Sequence, residues 1–129
     1  MVLLDTHIVL AALGQSQIVL PSAMKRHLTQ EGRVFVSVAT LWELAIKHRL
    51  GKLGLSIGLM EILGLLQDLN MKILPVQAVH ALTEIGFEPG TKDPFDRLLL
   101  GVCAAEGFKL VTLDQALVNH PLVWRPFPL

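Results

Sequence analysis

Four acidic side chains are spread along the chain at positions where a metal-binding carboxylate would be useful. They are Asp5, Glu43, Asp96 and Asp114. Asp5 and Asp114 each close an apolar, strand-like run, whereas Glu43 and Asp96 lie in segments of helical character. Only 11 of the 129 residues are acidic, and a carboxylate near a core is costly unless it is paired, hydrogen-bonded or bound to a metal. Converging carboxylates would repel one another, and a divalent cation would relieve that repulsion.

The elements that must position these acids alternate between strands and helices. Apolar and β-branched runs predict strands at 2–4, 34–37, 71–74 and 109–113, with a final edge strand at 122–125. Apolar periodicity, caps and terminal glycines predict helices at 6–14, 21–30, 38–50, 56–69, 76–85 and 93–106, with a loop at 87–92. This alternation predicts one α/β domain over residues 1–129, with a mainly parallel central sheet flanked by helices.

The predicted topology indicates where in the fold the four acids lie. Ligands of open α/β sheets bind beyond the carboxyl ends of the strands. Asp5 and Asp114 directly follow strands, Asp96 lies in the first turn of a helix, and Glu43 lies about two turns beyond a strand. We therefore expect all four at one edge of the sheet. Their hard oxygen atoms suit Mg²⁺ or Mn²⁺, and the five histidines are too scattered to suggest a zinc site.

Composition and charge narrow the possible partners. The formal net charge is zero, so an RNA backbone would have to be bound by a local basic patch. Candidates for that patch are Lys47, Arg49, Lys52 and Arg97. No segment approaches the roughly 20 apolar residues of a membrane helix, and no charged region of a signal peptide opens the chain. The single cysteine, Cys103, permits no intramolecular disulfide, which favours a cytoplasmic protein.

The chain is more apolar than a small monomer requires. Hydrophobic residues make up 52% and the mean hydropathy is +0.54. Segment 55–69 carries apolar residues around most of its predicted helical circumference. We therefore expect at least a homodimer, and a small partner protein covering an apolar groove.

Taken together, the motifs resemble the PIN domain, and among PIN domains the VapC-type toxin ribonucleases. The matching segments are Leu-Leu-Asp-Thr-His near the start, Ser-x-x-Thr-x-Trp-Glu-Leu-x-x-Lys and Gly-Lys-Leu in the middle, and Asp-Pro-Phe-Asp-Arg followed by Val-Thr-Leu-Asp. The resemblance implies a Rossmann-like three-layer fold and a metal-dependent endoribonuclease. It also implies a dimer restrained by a small antitoxin. By position, the family's acids fall on Asp5, Glu43, Asp96 and Asp114, and Asp93 belongs to the same motif.

Several of these residues also have a simpler structural explanation. Asp5 and Asp93 are both suited to cap a helix, and Pro94 at the first helical position favours that role for Asp93. A metal role for Asp93 therefore stays open. Thr6 and Thr112 are expected to orient a carboxylate or a water molecule. His7 is expected to be packed or hydrogen-bonded rather than catalytic.

Two other classes of function are compatible with the fold class. One is a PIN-fold interaction module without turnover, although an intact set of acids argues against lost activity. The other is a receiver-type phosphoacceptor, which is also α/β and binds Mg²⁺. That class needs a second acid beside Asp5 and an aspartate after a middle strand, and segments 4–6 and 36–38 do not supply them.

Overall fold

The computed structural model describes residues 1–30, 32–86, 89 and 92–126. Within these residues the strands are β1 (Val2–Leu4), β2 (Val34–Ser37), β3 (Lys72–Leu74) and β4 (Lys109–Val111). The helices are α1 (Thr6–Ala12), α2 (Ser22–Leu28), α3 (Val38–Arg49), α4 (Glu61–Asp68), α5 (Ala78–Leu82) and α6 (Pro94–Glu106). Most of the predicted loop 87–92 lies outside the described residues. None of the described helices is long and apolar enough to cross a membrane.

The strands form one parallel sheet in the order β3-β2-β1-β4. The central strand β1 pairs on both sides, with Val2 in register with Val34 of β2 and Lys109 of β4. Its alternate side chains enter two apolar clusters: Val2 and Leu4 pack with one set of helices, and Leu3 packs with the other. Helices therefore cover both faces of the sheet, which confirms the predicted three-layer α/β fold.

The last helix has the bounds expected from its sequence. Asp93 caps α6 by accepting the amide of Phe95 at 2.9 Å, and Gly107 ends it with a left-handed φ of 72°. Helix α5 packs very closely on α6, because a Cβ atom on Gly101 would lie only 2.5 Å from the carbonyl oxygen of His80. The His80 ring also contacts Glu106, with Nε2 and Oε1 2.6 Å apart. These contacts hold α6 against the rest of the domain, and they thereby help to fix the position of Asp96 in its first turn.

Helices α4 and α5 are much shorter than predicted, and α1 and α2 also end before their predicted limits, at Ala12 and Leu28. Helix α4 begins at Glu61 and not at Ser56. In the segment before it, the Ser56 amide donates to the Gln15 side chain at 2.8 Å and the Gly58 amide donates to Oε2 of Glu61 at 2.7 Å. The fifth helix covers only Ala78–Leu82 of the predicted 76–85, with Gln77 as its N-cap.

The carboxyl end of the chain contributes less sheet than predicted. In place of a strand at 122–125, a single parallel bridge joins Leu110 to Val123. The Leu110 amide donates to the Leu122 carbonyl, and the Trp124 amide donates to the Leu110 carbonyl, both at 2.8 Å. Strand β4 itself ends at Val111, two residues before the predicted end, where the chain turns to form part of the site described next.

Candidate active site

Asp5 lies where β1 passes into α1. Its Oδ1 accepts the amide of Thr6 at 2.7 Å, so Asp5 caps the helix. Its Oδ2 accepts the hydroxyl of Thr112 at 2.7 Å, and the whole residue is only 4% exposed. The carboxylate is therefore buried, oriented by hydrogen bonds on both oxygens, and held at the carboxyl edge of the sheet.

Glu43 reaches the same edge from the middle of α3. Its Oε1 accepts the buried hydroxyl of Thr6 at 2.7 Å. Its Oε2 forms an ion pair with Nζ of Lys47, one helical turn further along, at 2.6 Å. Lys47 was predicted as an RNA contact; in this structure its ammonium group is engaged with Glu43 beside the other acids.

The turn after β4 brings Asp114 to the site. The Thr112 hydroxyl oxygen accepts the Asp114 amide at 3.0 Å, and Asp114 Oδ1 accepts the Ala116 amide at 2.9 Å. His7 fastens this turn to α1, because its Nε2 accepts the Leu113 amide at 3.0 Å. With Nε2 acting as an acceptor, a neutral His7 carries its proton on Nδ1, which lies 3.6 Å from Oδ2 of Asp5. His7 is thus hydrogen-bonded, and it links the two strand ends that carry Asp5 and Asp114.

Asp93 and Asp96 approach from the start of α6. Asp93 is the N-cap of α6, a role for which its sequence context made it suitable. Asp96, one helical turn further, is buried. Arg97 is exposed on the same turn, and Arg49 and Lys52 are exposed at and beyond the end of α3.

One small cavity of about 140 Å³ connects these groups. Its lining consists of Asp5, Thr6, His7, Leu10, Glu43, Lys47, Leu53, Asp93, Asp96 and Asp114. All five candidate acids and Thr6 therefore line one space, whereas Thr112 supports it from behind through Asp5. Leu10 and Leu53 form an apolar wall that the motifs did not reveal. Four larger cavities in the described part of the chain contain at most one acidic residue each.

The carboxylates of this cavity repel one another. Burial and, in decreasing order of effect, the charges of Asp5, Asp93, Asp114 and Glu43 together raise the pKa of Asp96 to about 7. Burial also raises the pKa of Asp5, although the hydrogen bond from Thr112 opposes the change. The pKa of Lys47 is raised, chiefly by its hydrogen bond to Glu43. At neutral pH the cavity thus holds excess negative charge that a single ammonium group offsets in part.

A hard divalent cation fits the donor chemistry of this cavity, which is made of carboxylate oxygens. Among the described residues, however, no three carboxylate, histidine or cysteine side chains are already arranged to hold an ion. Two of the carboxylates are already engaged by other groups: Asp5 by Thr6 and Thr112, and Glu43 by Thr6 and Lys47. Coordination by Glu43 through Oε2 would require Lys47 to move.

Comparison with known proteins identifies the family. The PIN domain family model matches residues 2–121, so the chain belongs to the PIN domain family, as the motifs suggested. A solved structure described as a toxin–antitoxin complex from Klebsiella pneumoniae matches over 100% of both chains, with a TM-score of 0.62 and 15% sequence identity. At that identity the likeness shows a shared fold. The search of curated proteins returned no match.

Proposed function

We propose that this chain is a divalent-metal-dependent endoribonuclease that acts as the toxin of a toxin–antitoxin pair in the cytoplasm. The observation that carries the proposal is the set of five carboxylates, from four separate parts of the chain, around one cavity of about 140 Å³. Membership of the PIN family supports a nuclease. The motif resemblance supports the toxin assignment, as does the similarity to a structure described as a toxin–antitoxin complex.

In this proposal Asp5, Glu43, Asp96 and Asp114 hold Mg²⁺ or Mn²⁺, and Asp93 lies close enough to take part. The bound ion would activate a water molecule and stabilise the charge that develops on the phosphoryl oxygens. Thr6 and Thr112 keep the carboxylates of Glu43 and Asp5 in fixed orientations through their hydroxyl groups. Leu10 and Leu53 exclude bulk water from one side of the cavity, which strengthens the interactions inside it.

The RNA strand would be bound outside the cavity by cationic side chains. Arg49 and Lys52 are exposed at and beyond the end of α3, and Arg97 is exposed on α6 beside the acids. Lys47, on the cavity wall, is the fourth residue in this proposed contact set. Such contacts with phosphate are independent of sequence and weaken as salt is added.

The proposed partners of the protein are a second copy of the chain and a small antitoxin. The exposed apolar side chains around α4 support both, because Met60, Leu63 and Leu69 remain 75%, 40% and 41% exposed. A partner that covers such residues removes apolar area from water at roughly 25 cal/mol per Å².

A catalytically silent PIN-fold interaction module is the second candidate. It is favoured by one observation, namely that both oxygens of Glu43 are already engaged by Thr6 and Lys47. The receiver-type alternative loses its support, because the chain belongs to the PIN family.

Cleavage of structured RNAs with Mg²⁺ or Mn²⁺ separates the two candidates. The wild-type chain is expected to cleave RNA with either ion and to stop in excess EDTA. Asp5→Asn, which keeps the shape of the side chain and removes its charge, is the control for contaminating ribonuclease. No metal-dependent cleavage of any tested RNA, at protein concentrations where metal binding is observed, would favour the interaction module.

A further inference from the structure

The two oxygens of Glu43 have partners of different kinds. Thr6 is buried and rigidly placed at the start of α1, so its hydroxyl group is a permanent partner. Lys47 is different, because its side chain is 43% exposed whereas that of Glu43 is 7% exposed. The lysine therefore reaches a buried carboxylate from the solvent side, on a flexible stem that can move without unfolding the helix.

Lys47 already acts as a cation inside the acidic cavity. Its Nζ lies 2.6 Å from Oε2 of Glu43, and the side chain lines the same space as Asp5, Asp96 and Asp114. A divalent ion bound by these carboxylates would compete for the same oxygen and would repel the ammonium group. In a space of about 140 Å³, the divalent ion and the Lys47 ammonium group would lie so close together that their repulsion disfavours binding of both.

We propose that Lys47 is a displaceable internal counter-ion, which holds Glu43 in the metal-free chain and is released when a divalent cation takes Oε2. The inference rests on the proposed function, in that it requires this cavity to be the metal site. Once released, the ammonium group lies at the solvent-exposed mouth of the cavity, where an RNA phosphate is its natural partner.

The proposal implies that metal binding and RNA binding are coupled through the side chain of Lys47. Metal binding frees the ammonium group for the phosphate, and a phosphate that attracts the ammonium group frees Glu43 for the metal. Because coupling of two binding equilibria is reciprocal, each ligand raises the affinity for the other by the same factor. A lysine with a fixed structural role would produce no such coupling.

Calorimetric titration of Mn²⁺ into the full chain, in the absence of RNA, tests the competition directly. Lys47→Met removes the competitor and should tighten Mn²⁺ binding by about fivefold, as expected for loss of an ion pair worth about 1 kcal/mol. Lys72→Met is the matched control, because it removes the same charge from an exposed position on β3 outside the cavity. Equal or weaker affinity of Lys47→Met relative to wild type would overturn the proposal.

A double-mutant cycle distinguishes competition for Glu43 from a general effect of charge. In a Glu43→Gln background, Lys47→Met should raise Mn²⁺ affinity by clearly less than the fivefold expected when Glu43 is present. A full effect in that background would overturn displacement as the cause.

A measurement on the wild-type chain covers the case in which Lys47→Met fails to fold. ¹⁵N NMR of the lysine ammonium groups should show a protected Lys47 signal without metal and its loss on adding Mg²⁺. A signal that persists at saturating Mg²⁺ would refute release. If the wild-type chain binds neither ion, the metal site of the proposed function fails as well; if it binds and Lys47 is unaffected, only the present inference fails.

Discussion

The hydroxyl of Thr112 donates to Oδ2 of Asp5 at 2.7 Å and joins residues that are 107 positions apart in the chain. The same hydroxyl oxygen accepts the amide of Asp114 at 3.0 Å. One buried side chain therefore positions both acids that follow the neighbouring strands β1 and β4.

Removing the Thr112 hydroxyl group should destabilise the fold. Thr112→Val is expected to lower the free energy of unfolding by about 1.5–3 kcal/mol, as for a hydrogen bond to a charged group, and to weaken Mn²⁺ binding. Thr40→Val is the matched control, because the buried Thr40 hydroxyl has no hydrogen-bond partner in the described part of the chain. That substitution should be neutral or stabilising. Urea denaturation of both variants checks the comparison, and equal losses would contradict the role assigned to Thr112.

Asp5→Asn should separate activity from stability. Loss of a charged ligand is expected to lower Mg²⁺-dependent RNA cleavage by at least about 100-fold, the upper end of the losses seen when groups that merely support a metal ligand are removed. Without metal, relief of repulsion within the cavity should offset the loss of one hydrogen bond, since Asn has a single oxygen to accept the Thr6 amide and the Thr112 hydroxyl, so the stability of the variant should stay close to that of wild type. Cleavage rates, together with thermal unfolding in EDTA, provide the two measurements. Undiminished cleavage, or cleavage that survives EDTA, would exclude the proposed metal mechanism.

The raised pKa of Asp96 predicts an unusual dependence of stability on pH. Its ordinary pKa is 3.8, whereas in the folded chain it is about 7. Between these values the folded chain retains a proton that the unfolded chain has lost, so the metal-free protein should lose stability as pH rises from about 4 to about 7. The shifted pKa of Asp5 acts in the same direction.

Urea denaturation at pH 5 and pH 8 in EDTA measures that slope. Asp96→Asn should flatten it, whereas Asp68→Asn, which changes an exposed acid at the end of α4, should leave it intact. Saturating Mg²⁺ at pH 8 should restore stability by mass action. A slope that Asp96→Asn leaves unchanged would contradict the repulsion described for the cavity.

Two glycine substitutions should have opposite effects. Gly101→Ala would place a methyl group 2.5 Å from the His80 carbonyl oxygen, so α5 must separate from α6 and the fold should be strongly destabilised. Gly64→Ala meets no atom within 4 Å in the exposed interior of α4, and it should stabilise the fold by up to about 1 kcal/mol. Thermal unfolding of the two variants measures these changes in stability. A tolerated Gly101→Ala would show that the helices do not need this close approach.

The chain should be at least dimeric in solution. Large apolar side chains remain exposed, with Trp42 62% and Met60 75% accessible. Helix α4 buries Ile62 and Leu66 while leaving Leu63 and Leu69 partly exposed, so its own domain does not cover it completely. Static light scattering is the direct measurement, and a monomer at high micromolar concentration would contradict the expectation.

The features of the fold that depend on local sequence were predictable. Helix α6 has its expected bounds because an aspartate and a proline begin it and a glycine ends it, and each of these acts within one turn. The convergence of Asp5 and Asp114 followed from topology, because parallel strands place their carboxyl ends at one edge. Their role as metal ligands stays a prediction.

The features that depend on distant contacts were not predictable. The segment before α4 is held by a hydrogen bond between Ser56 and Gln15, which are 41 positions apart. The bond from Leu113 to His7 spans 106 positions. For Lys47, residue type and spacing could not decide between an RNA contact and an ion pair within the cavity, because both need a lysine one turn after Glu43.

The order of the strands has a consequence for the stage of synthesis at which the acidic cavity can form. Strand β1 is made first, yet one of its two neighbours is β4, which is made last. Until β4 leaves the ribosome, β1 has one unpaired edge, Asp5 lacks its partner Thr112, and Asp114 is absent from the site. Under the proposed function, a catalytic centre that needs β1 and β4 together would stay silent until β4 and the turn carrying Asp114 have left the ribosome, so the messenger RNA and ribosome that produce the chain would not meet a working enzyme before that point.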